Sequence, residues 1–600
     1  MNNSQGEFRP SLVVDVAADY RHRRIILRWR TVIALTALAM LMLTVIQEQD
    51  FGIKWLSFGW GWLTWICLVP WVIAVVGAKN GRRGAIISYI AGFVYFLGNL
   101  YWLVWVTVPG WIALCFYLAF YFVLCGFLLR RIYLRRRWPF TLVLPIIWVG
   151  QEYLRSIVMT GFPWFLLGHS QHANLRMIQI CDLFGVYGIT FLMAMINGLI
   201  CDILLRPLRQ SESQQRKAML SAGPLFLLTV CCVLGTMLYG QHRLGEGKAS
   251  ISQGPSVTVI QEVIPQFVKQ AGKSDEEIFS RHMALSEKAQ RTLPGPDLIV
   301  WPETMVPGPL NQEFLSLEPE GLIEEGQKYL KESLSYDKRL RDLTTKKVAV
   351  LAGAPSLTAN EQGRLSRFNS AFLYLPGGQR YAKRYDKMHL VPFGEVVPFK
   401  RSWPWLYNLL NNLTPYEGYE YSLDAGTEPT VFEFKDSFGK THRFSVAICY
   451  EDVMPATVRR LAGLEDGKKR IDFLLNISND GWFVRGGMKD KPVKSSSEQL
   501  QHLVICKFRA VENRIGIARA VNTGISAFIK PDGSVQKDAL IDGFPPGDHE
   551  REAVAGYLTD KIYIDTRISL YSRIGDTFAI VCTVLTGLLF LLSLSRRKKS

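Results

Sequence analysis

Three residues of unlike type, each at the end of a short run, could share one reaction. Cys449 closes Phe444-Ser-Val-Ala-Ile-Cys449 and is followed at once by Tyr450, Glu451 and Asp452. Glu303 closes Ile299-Val-Trp-Pro-Glu303, where Pro302 biases Trp301 to an extended conformation and ends strand pairing. Lys387 follows Tyr385-Asp386 and precedes the loop Pro392-Phe-Gly-Glu395. Each has a plain reading: a buried core thiol, a surface or N-cap acid, a solvated lysine. Together they meet the needs of acyl transfer through a thioester. The carboxylate takes the thiol proton. The ammonium favours thiolate and stabilises the oxyanion of the tetrahedral intermediate. No histidine is required if burial raises the carboxyl pKa. His389 lies close to Lys387 in the chain and leaves a Cys–His pair as the other arrangement.

These residues need rigid strand ends. Short apolar runs at Val257–Ile260, Asp297–Trp301, Val348–Gly353, Asn369–Tyr374, Phe444–Ile448, Phe473–Asn476, Gly516–Arg519 and Ser526–Ile529 read as strands. Helix-length stretches such as Ser497–Glu512 lie between many of them, which predicts a layered α/β domain with a buried sheet. The charged stretch Leu310–Lys347 reads as a helical excursion on the surface. No Gly-rich nucleotide loop, HExxH or CxxC occurs, so neither a cofactor nor a metal is expected.

The rest of the chain reads as membrane. Six hundred residues exceed one core, and a mean hydropathy of +0.11 coexists with 20% charged residues. The net charge is +17, but the basic residues cluster beside apolar runs, which argues for membrane topology rather than nucleic acid. Of the ten cysteines only Cys449 and Cys506 fall in the polar region, so no disulfide framework is expected. Apolar runs lie near Thr31–Ile46, Trp55–Gly77, Gly84–Val106, Trp111–Leu129, Trp138–Tyr153, Val186–Leu205, Ala218–Tyr239 and Asp576–Leu594, about eight transmembrane helices.

Threaded from a cytoplasmic N-terminus that ends in Arg21-His-Arg-Arg24, the chain puts Lys79–Arg83, Arg130–Arg137, Arg206–Lys217 and Arg596–Lys599 inside. All four are basic, whereas Gln47–Lys54 and Thr107–Gly110 are poor in Lys and Arg, as the positive-inside rule requires. The expected organisation is a cytoplasmic segment at 1–30, a seven-helix membrane domain at 31–240, an outside domain at 241–573, and a last span with a basic tail at 574–600. Gly161-Phe-Pro-Trp164 and Leu167–Gln171 read as an interfacial aromatic belt, with a floor beneath the outer domain as the other reading. Glu152 and Arg155, at i,i+3 spacing, read as a structural pair.

Trp301-Pro-Glu303, Tyr385-Asp-Lys387 with Pro392-Phe-Gly-Glu395, and Ile448-Cys-Tyr-Glu451 resemble the Glu-Lys-Cys motifs of the nitrilase (carbon–nitrogen hydrolase) superfamily. With seven spans before the domain and one after, the chain resembles the apolipoprotein N-acyltransferase family. Asn476-Ile-Ser-Asn-Asp-Gly-Trp482 and Tyr571-Ser-Arg-Ile-Gly-Asp576 add to the likeness.

The resemblance implies an αββα sandwich in a bacterial inner membrane protein, with the catalytic domain in the periplasm. It implies that phospholipid donates its sn-1 acyl chain to Cys449. The thioester then acylates the α-amine of a diacylglyceryl-cysteine on an apolipoprotein, the last step of lipoprotein maturation. Glu303 would be base then acid, Lys387 would hold the oxyanion, Glu395 would orient Lys387, and Tyr450 and Glu451 would shape the site. A monomer is expected. One departure is that Lys269-Gln270 follows Pro265-Gln266 where the family often has Lys-Trp. The alternative is a membrane-bound amidase or nitrile hydrolase using the same triad with water. A third reading, a binding domain on a membrane anchor, leaves the convergence of Glu303, Lys387 and Cys449 unexplained.

Overall fold

The computed structural model describes residues 27–47, 60–136, 138–205, 223–270, 275–345, 347–359, 365–397, 403–411, 421–484, 486, 492–536, 540–542 and 553–595. The basic segments at 21–24, 206–217 and 596–599 and most of the loop at 47–54 lie outside the described residues.

Each apolar run becomes a helix within its described part. Among the described residues, Val108–Arg135, Phe140–Thr160, Val186–Leu205, Gly223–Ser250 and Thr577–Leu594 are long and apolar enough to cross a membrane. Trp29–Val45 and Gly61–Gly77 are apolar but shorter. The helix Gly81–Asn99 lies between the last of these and Val108–Arg135. The helix from Gly223 runs on past Tyr239 to Ser250, so the first strand begins at Ile251.

Strands are numbered along the chain. β1 (Ile251–Gln261), β2 (Leu298–Val300), β3 (Ala349–Ala359), β4 (Leu365–Leu375), β5 (Gln379–Arg380) and β6 (Tyr385–Asp386) come first. β7 (Phe432–Lys435), β8 (Thr441–Ile448), β9 (Leu464–Glu465), β10 (Lys468–Lys469) and β11 (Phe473–Asn479) follow. β12 (Gly516–Asn522), β13 (Ala527–Ile529), β14 (Leu540–Asp542) and β15 (Gly556–Asp565) complete the set. One sheet runs β14-β15-β1-β2-β3-β4-β5, with β6 on β4; the other runs β13-β12-β11-β8-β7. β1, β2 and β3 are mutually parallel, and so are β8, β11 and β12.

The two sheets pack face to face. Val257, Val259, Leu298, Val300 and Leu351 of one share a core with Phe444, Val446, Ile448, Phe473 and Leu475 of the other. Successive strand residues point to opposite faces, so Ile260, Ile299 and Val350 instead meet Phe279, Tyr336 and Leu340 from outer helices. Strands covered on both faces read as unbroken apolar runs, which is why they stood out in the sequence. Leu340 and Tyr336 belong to the helix Glu324–Leu343, so the stretch expected as a surface excursion is in part a covering layer of the sheet. Its charged residues other than the buried Asp337 lie toward solvent, and its apolar residues recur at helical spacing.

The helix Ser497–Asn513 is buried on two faces. Leu503, Cys506 and Ala510 pack on the sheets. Val504, Ile505, Phe508 and Val511 join the core built from the apolar helices. It therefore fixes the α/β domain against the membrane part.

Candidate active site

β2 and β8 deliver Glu303 and Cys449 beyond their carboxyl ends, where open parallel sheets usually present ligand-binding groups. β8 ends at Ile448, and Cys449 takes a left-handed φ of 53°. That conformation costs a non-glycine residue about 1–3 kcal/mol and persists only where neighbours enforce it. Glu451 does so. Its Oε2 accepts from Ile448 N at 2.8 Å, and Oε1 accepts from Met388 N at 2.7 Å and His389 N at 3.0 Å. Tyr385 Oη donates to both oxygens at 2.8 Å. Burial pushes the Glu451 carboxyl up to about 7, against these hydrogen bonds. Glu451 thus ties the Cys449 turn to the Lys387 segment.

Glu303 and Lys387 are both buried. Lys387 Nζ lies 2.8 Å from Glu395 Oε1 and 3.4 Å from Glu303 Oε1. Asn369 Nδ2 donates to Glu303 Oε1 at 2.6 Å and to Glu395 Oε1 at 3.1 Å. Asn479 N donates to Glu303 Oε2 at 2.9 Å, and Val391 N to Glu395 Oε2 at 2.9 Å. Gly353 permits this arrangement: a Cβ there would meet Pro302 O and Thr304 N at 2.6 Å. Lys269 Nζ reaches Thr304 Oγ1 beside Glu303, and burial lowers its pKa to about 8.

Electrostatics connect the three. Burial, then the Glu303 carboxylate, push the Cys449 thiol well above its usual range, while Lys387 pulls it down. Burial opposes the charge of Lys387, but Glu395 and Glu303 outweigh it and hold the ammonium protonated. A thiol kept protonated at rest needs a base at the moment of attack, and a permanently charged ammonium beside it can hold an oxyanion. His389 stacks on Tyr450 at 5.9 Å, and burial with the Lys387 charge lowers its pKa to about 4. It is an uncharged imidazole near neutrality.

The loop at 161–171 lies under this turn. Tyr450 Oη donates to Gly161 O at 3.2 Å, and Trp164 stacks on Tyr450 at 6.4 Å. Trp102 and Trp164 both donate to Gln501 Oε1, at 3.0 and 3.2 Å. Trp164 is buried against the catalytic domain, so the expected aromatic belt is here a floor. Sequence reasoning missed Asn369 and Gly353. A lone Asn inside an apolar strand was the available signal for the first; the close approach that requires Gly353 leaves none.

Residues 51–199 match the model of the apolipoprotein N-acyltransferase N-terminal domain, and residues 256–541 match that of carbon–nitrogen hydrolases. An apolipoprotein N-acyltransferase of Geobacter metallireducens is 31% identical over 93% of this chain and 96% of its own. The Chlorobaculum tepidum protein of that name is 26% identical over 89% of this chain and 92% of its own. Among solved structures, an amidase from Nesterenkonia sp. aligns with 55% of this chain and 96% of its own, at 18% identity and a TM-score of 0.31. The chain belongs to the apolipoprotein N-acyltransferase family of acyltransferases, and its α/β domain is nitrilase-like.

Proposed function

We propose that the protein transfers an acyl chain from phospholipid to the α-amine of a diacylglyceryl-cysteine on an apolipoprotein, through a thioester on Cys449. Glu303 takes the thiol proton as sulfur attacks the ester carbonyl. Lys387 holds the oxyanion, oriented by Glu395. Collapse expels the lysophospholipid alkoxide, which Glu303 protonates. The acceptor amine then attacks the thioester, gives its proton to Glu303, and the thiol is restored. Tyr450 and Glu451 shape the turn.

The observation that carries this reading is the strained Cys449, whose thiol feels both the Glu303 and the Lys387 charges. The relatives' name supports the acceptor. Exposed apolar side chains, Phe393 in the Glu395 loop and Trp403, Trp405 and Leu409 further along the chain, suit a lipid donor. The described basic loops support a cytoplasmic N-terminus, a membrane domain at 31–240 and a last span at 574–600 in the inner membrane. The domain at 241–573 then faces the periplasm.

Incubated in detergent with phospholipid, the purified chain should gain one acyl mass on Cys449, read by intact-protein mass spectrometry. Cys449→Ala should gain none. Adding a diacylglyceryl-cysteine peptide should discharge the adduct and yield N-acylated peptide. No adduct in the wild type, or an equal one in Cys449→Ala, refutes the thioester. Discharge to free fatty acid alone would make the enzyme a hydrolase.

A further inference from the structure

A second buried charge cluster lies behind the Cys449 turn and has no part in the scheme above. Helix Ser497–Asn513 is capped by Ser496 and presents Glu498 and His502 one turn apart on one face. Asp480, just past β11, and Asp452, in the turn after Cys449, meet them there. None of the four side chains is more than 2% exposed.

His502 Nε2 lies 2.6 Å from Asp452 Oδ1. Its Nδ1 lies 3.2 Å from Glu498 Oε1 and 3.5 Å from Asp480 Oδ1, yet Nδ1 and Glu498 Oε2 have no hydrogen-bond partner. Ser478 Oγ donates to Asp480 Oδ1 at 2.6 Å. Arg519 engages the far oxygens, Asp452 Oδ2 at 3.0 Å and Asp480 Oδ2 at 3.1 Å.

Two facts point the same way. The carboxylates of Asp452, Asp480 and Glu498 outnumber the cations that face them: even with His502 protonated beside Arg519, one negative charge is left over away from water. Such a surplus is too costly to leave uncompensated. Second, bonds of about 2.0–2.1 Å in a tetrahedral site set ligand atoms about 3.3–3.4 Å apart. The two Nδ1 distances bracket that spacing, and the three ligand atoms all lie within 4.8 Å of one another.

We infer that Asp480, Glu498 and His502 form a site for a divalent transition-metal ion, zinc by the nitrogen-and-oxygen character of the set. Asp452 on Nε2 is the outer carboxylate that fixes the imidazole tautomer. The ion cancels the surplus charge and, through Asp452, braces the turn carrying Cys449. It takes no part in acyl transfer.

The test is metal content of the tag-free full chain, loaded with zinc in detergent and desalted. The wild type should retain about one zinc per chain by elemental mass spectrometry, and Glu498→Gln and Asp480→Asn below about a fifth of that. Chelation should lower the melting temperature of the wild type, and zinc should restore it. The variants should respond to neither. Glu498→Gln keeps size and helix propensity, so it and the wild-type loading decide if Asp480→Asn fails to fold. Below about a tenth of a zinc per loaded wild-type chain, the charge is balanced by protons on His502 and Glu498, and the inference fails. Equal zinc in wild type and Glu498→Gln also overturns it.

Discussion

Two buried pairs of a carboxylate and a cation, one among the apolar helices and one in the α/β domain, spend their hydrogen bonds differently. In the membrane part, Glu152 Oε1 accepts from Trp148 Nε1 at 3.0 Å and Leu167 N at 2.8 Å, and Oε2 from Thr190 Oγ1 at 2.9 Å. Arg155 donates to the carbonyls of Phe162, Trp164 and Phe165, and its guanidinium lies over the Phe96 ring at 5.4 Å. Both residues hold the floor loop, in place of the simple mutual pair expected. In the catalytic part, Lys387 has one short partner, Glu395, and one long one, Glu303. Asn369 Oδ1 has none. An arginine whose fork is filled by carbonyls is structural, since any rearrangement leaves several groups unpaired. An ammonium with donor capacity in hand, beside a nucleophile, can take on an oxyanion without breaking the bonds that hold it.

If that contrast is right, removing the underused cation harms chemistry more than folding. Lys387→Met should slow formation of the Cys449 acyl adduct about 10²–10³-fold, the usual loss for an oxyanion donor. Because Lys387 draws the Cys449 pKa down, alkylation of that thiol should also shift to higher pH. Alkylation followed across pH in both proteins checks the sign. An unchanged profile would place Lys387 too far from sulfur to act. Asn369→Ala should come next. It removes the amide shared by Glu303 and Glu395, so adduct formation should fall about tenfold, the worth of a hydrogen bond to a charged group. Single-turnover acylation measured by mass spectrometry reads it, and a rate equal to wild type would show that Lys387 alone orders the two glutamates.

The same contrast explains what could be read from residues alone. Cys449 and Glu303 stand at the ends of apolar runs, and the parallel strands they follow are covered on both faces, so periodicity located them, whereas Lys387 follows the short antiparallel β6 and was legible through its motif. The spans were legible because each helix must satisfy its backbone within an apolar stretch. What escaped was long-range and polar. Nothing near Trp164 announces that it will lie under Tyr450, because that contact joins residues far apart in the chain. The Glu324–Leu343 helix was misjudged for a related reason: its charged face dominates the composition, while a few apolar residues at helical spacing decide its place.

The floor gives the smallest and most discriminating prediction. Arg155→Lys keeps the charge but loses the fork, so at least one of the carbonyls of Phe162, Trp164 and Phe165 is left without its donor. An unpaired buried carbonyl costs about 1–3 kcal/mol, so the apparent melting temperature in detergent should fall by several degrees. The adduct rate should change less than about threefold, because Glu451, not the floor, sets the Cys449 turn. The comparison breaks if the rate falls as far as in Lys387→Met while the melting temperature holds. Trp164 and Tyr450 would then transmit the floor's geometry to the nucleophile, and the Glu152–Arg155 region would belong to the catalytic machinery rather than to its support.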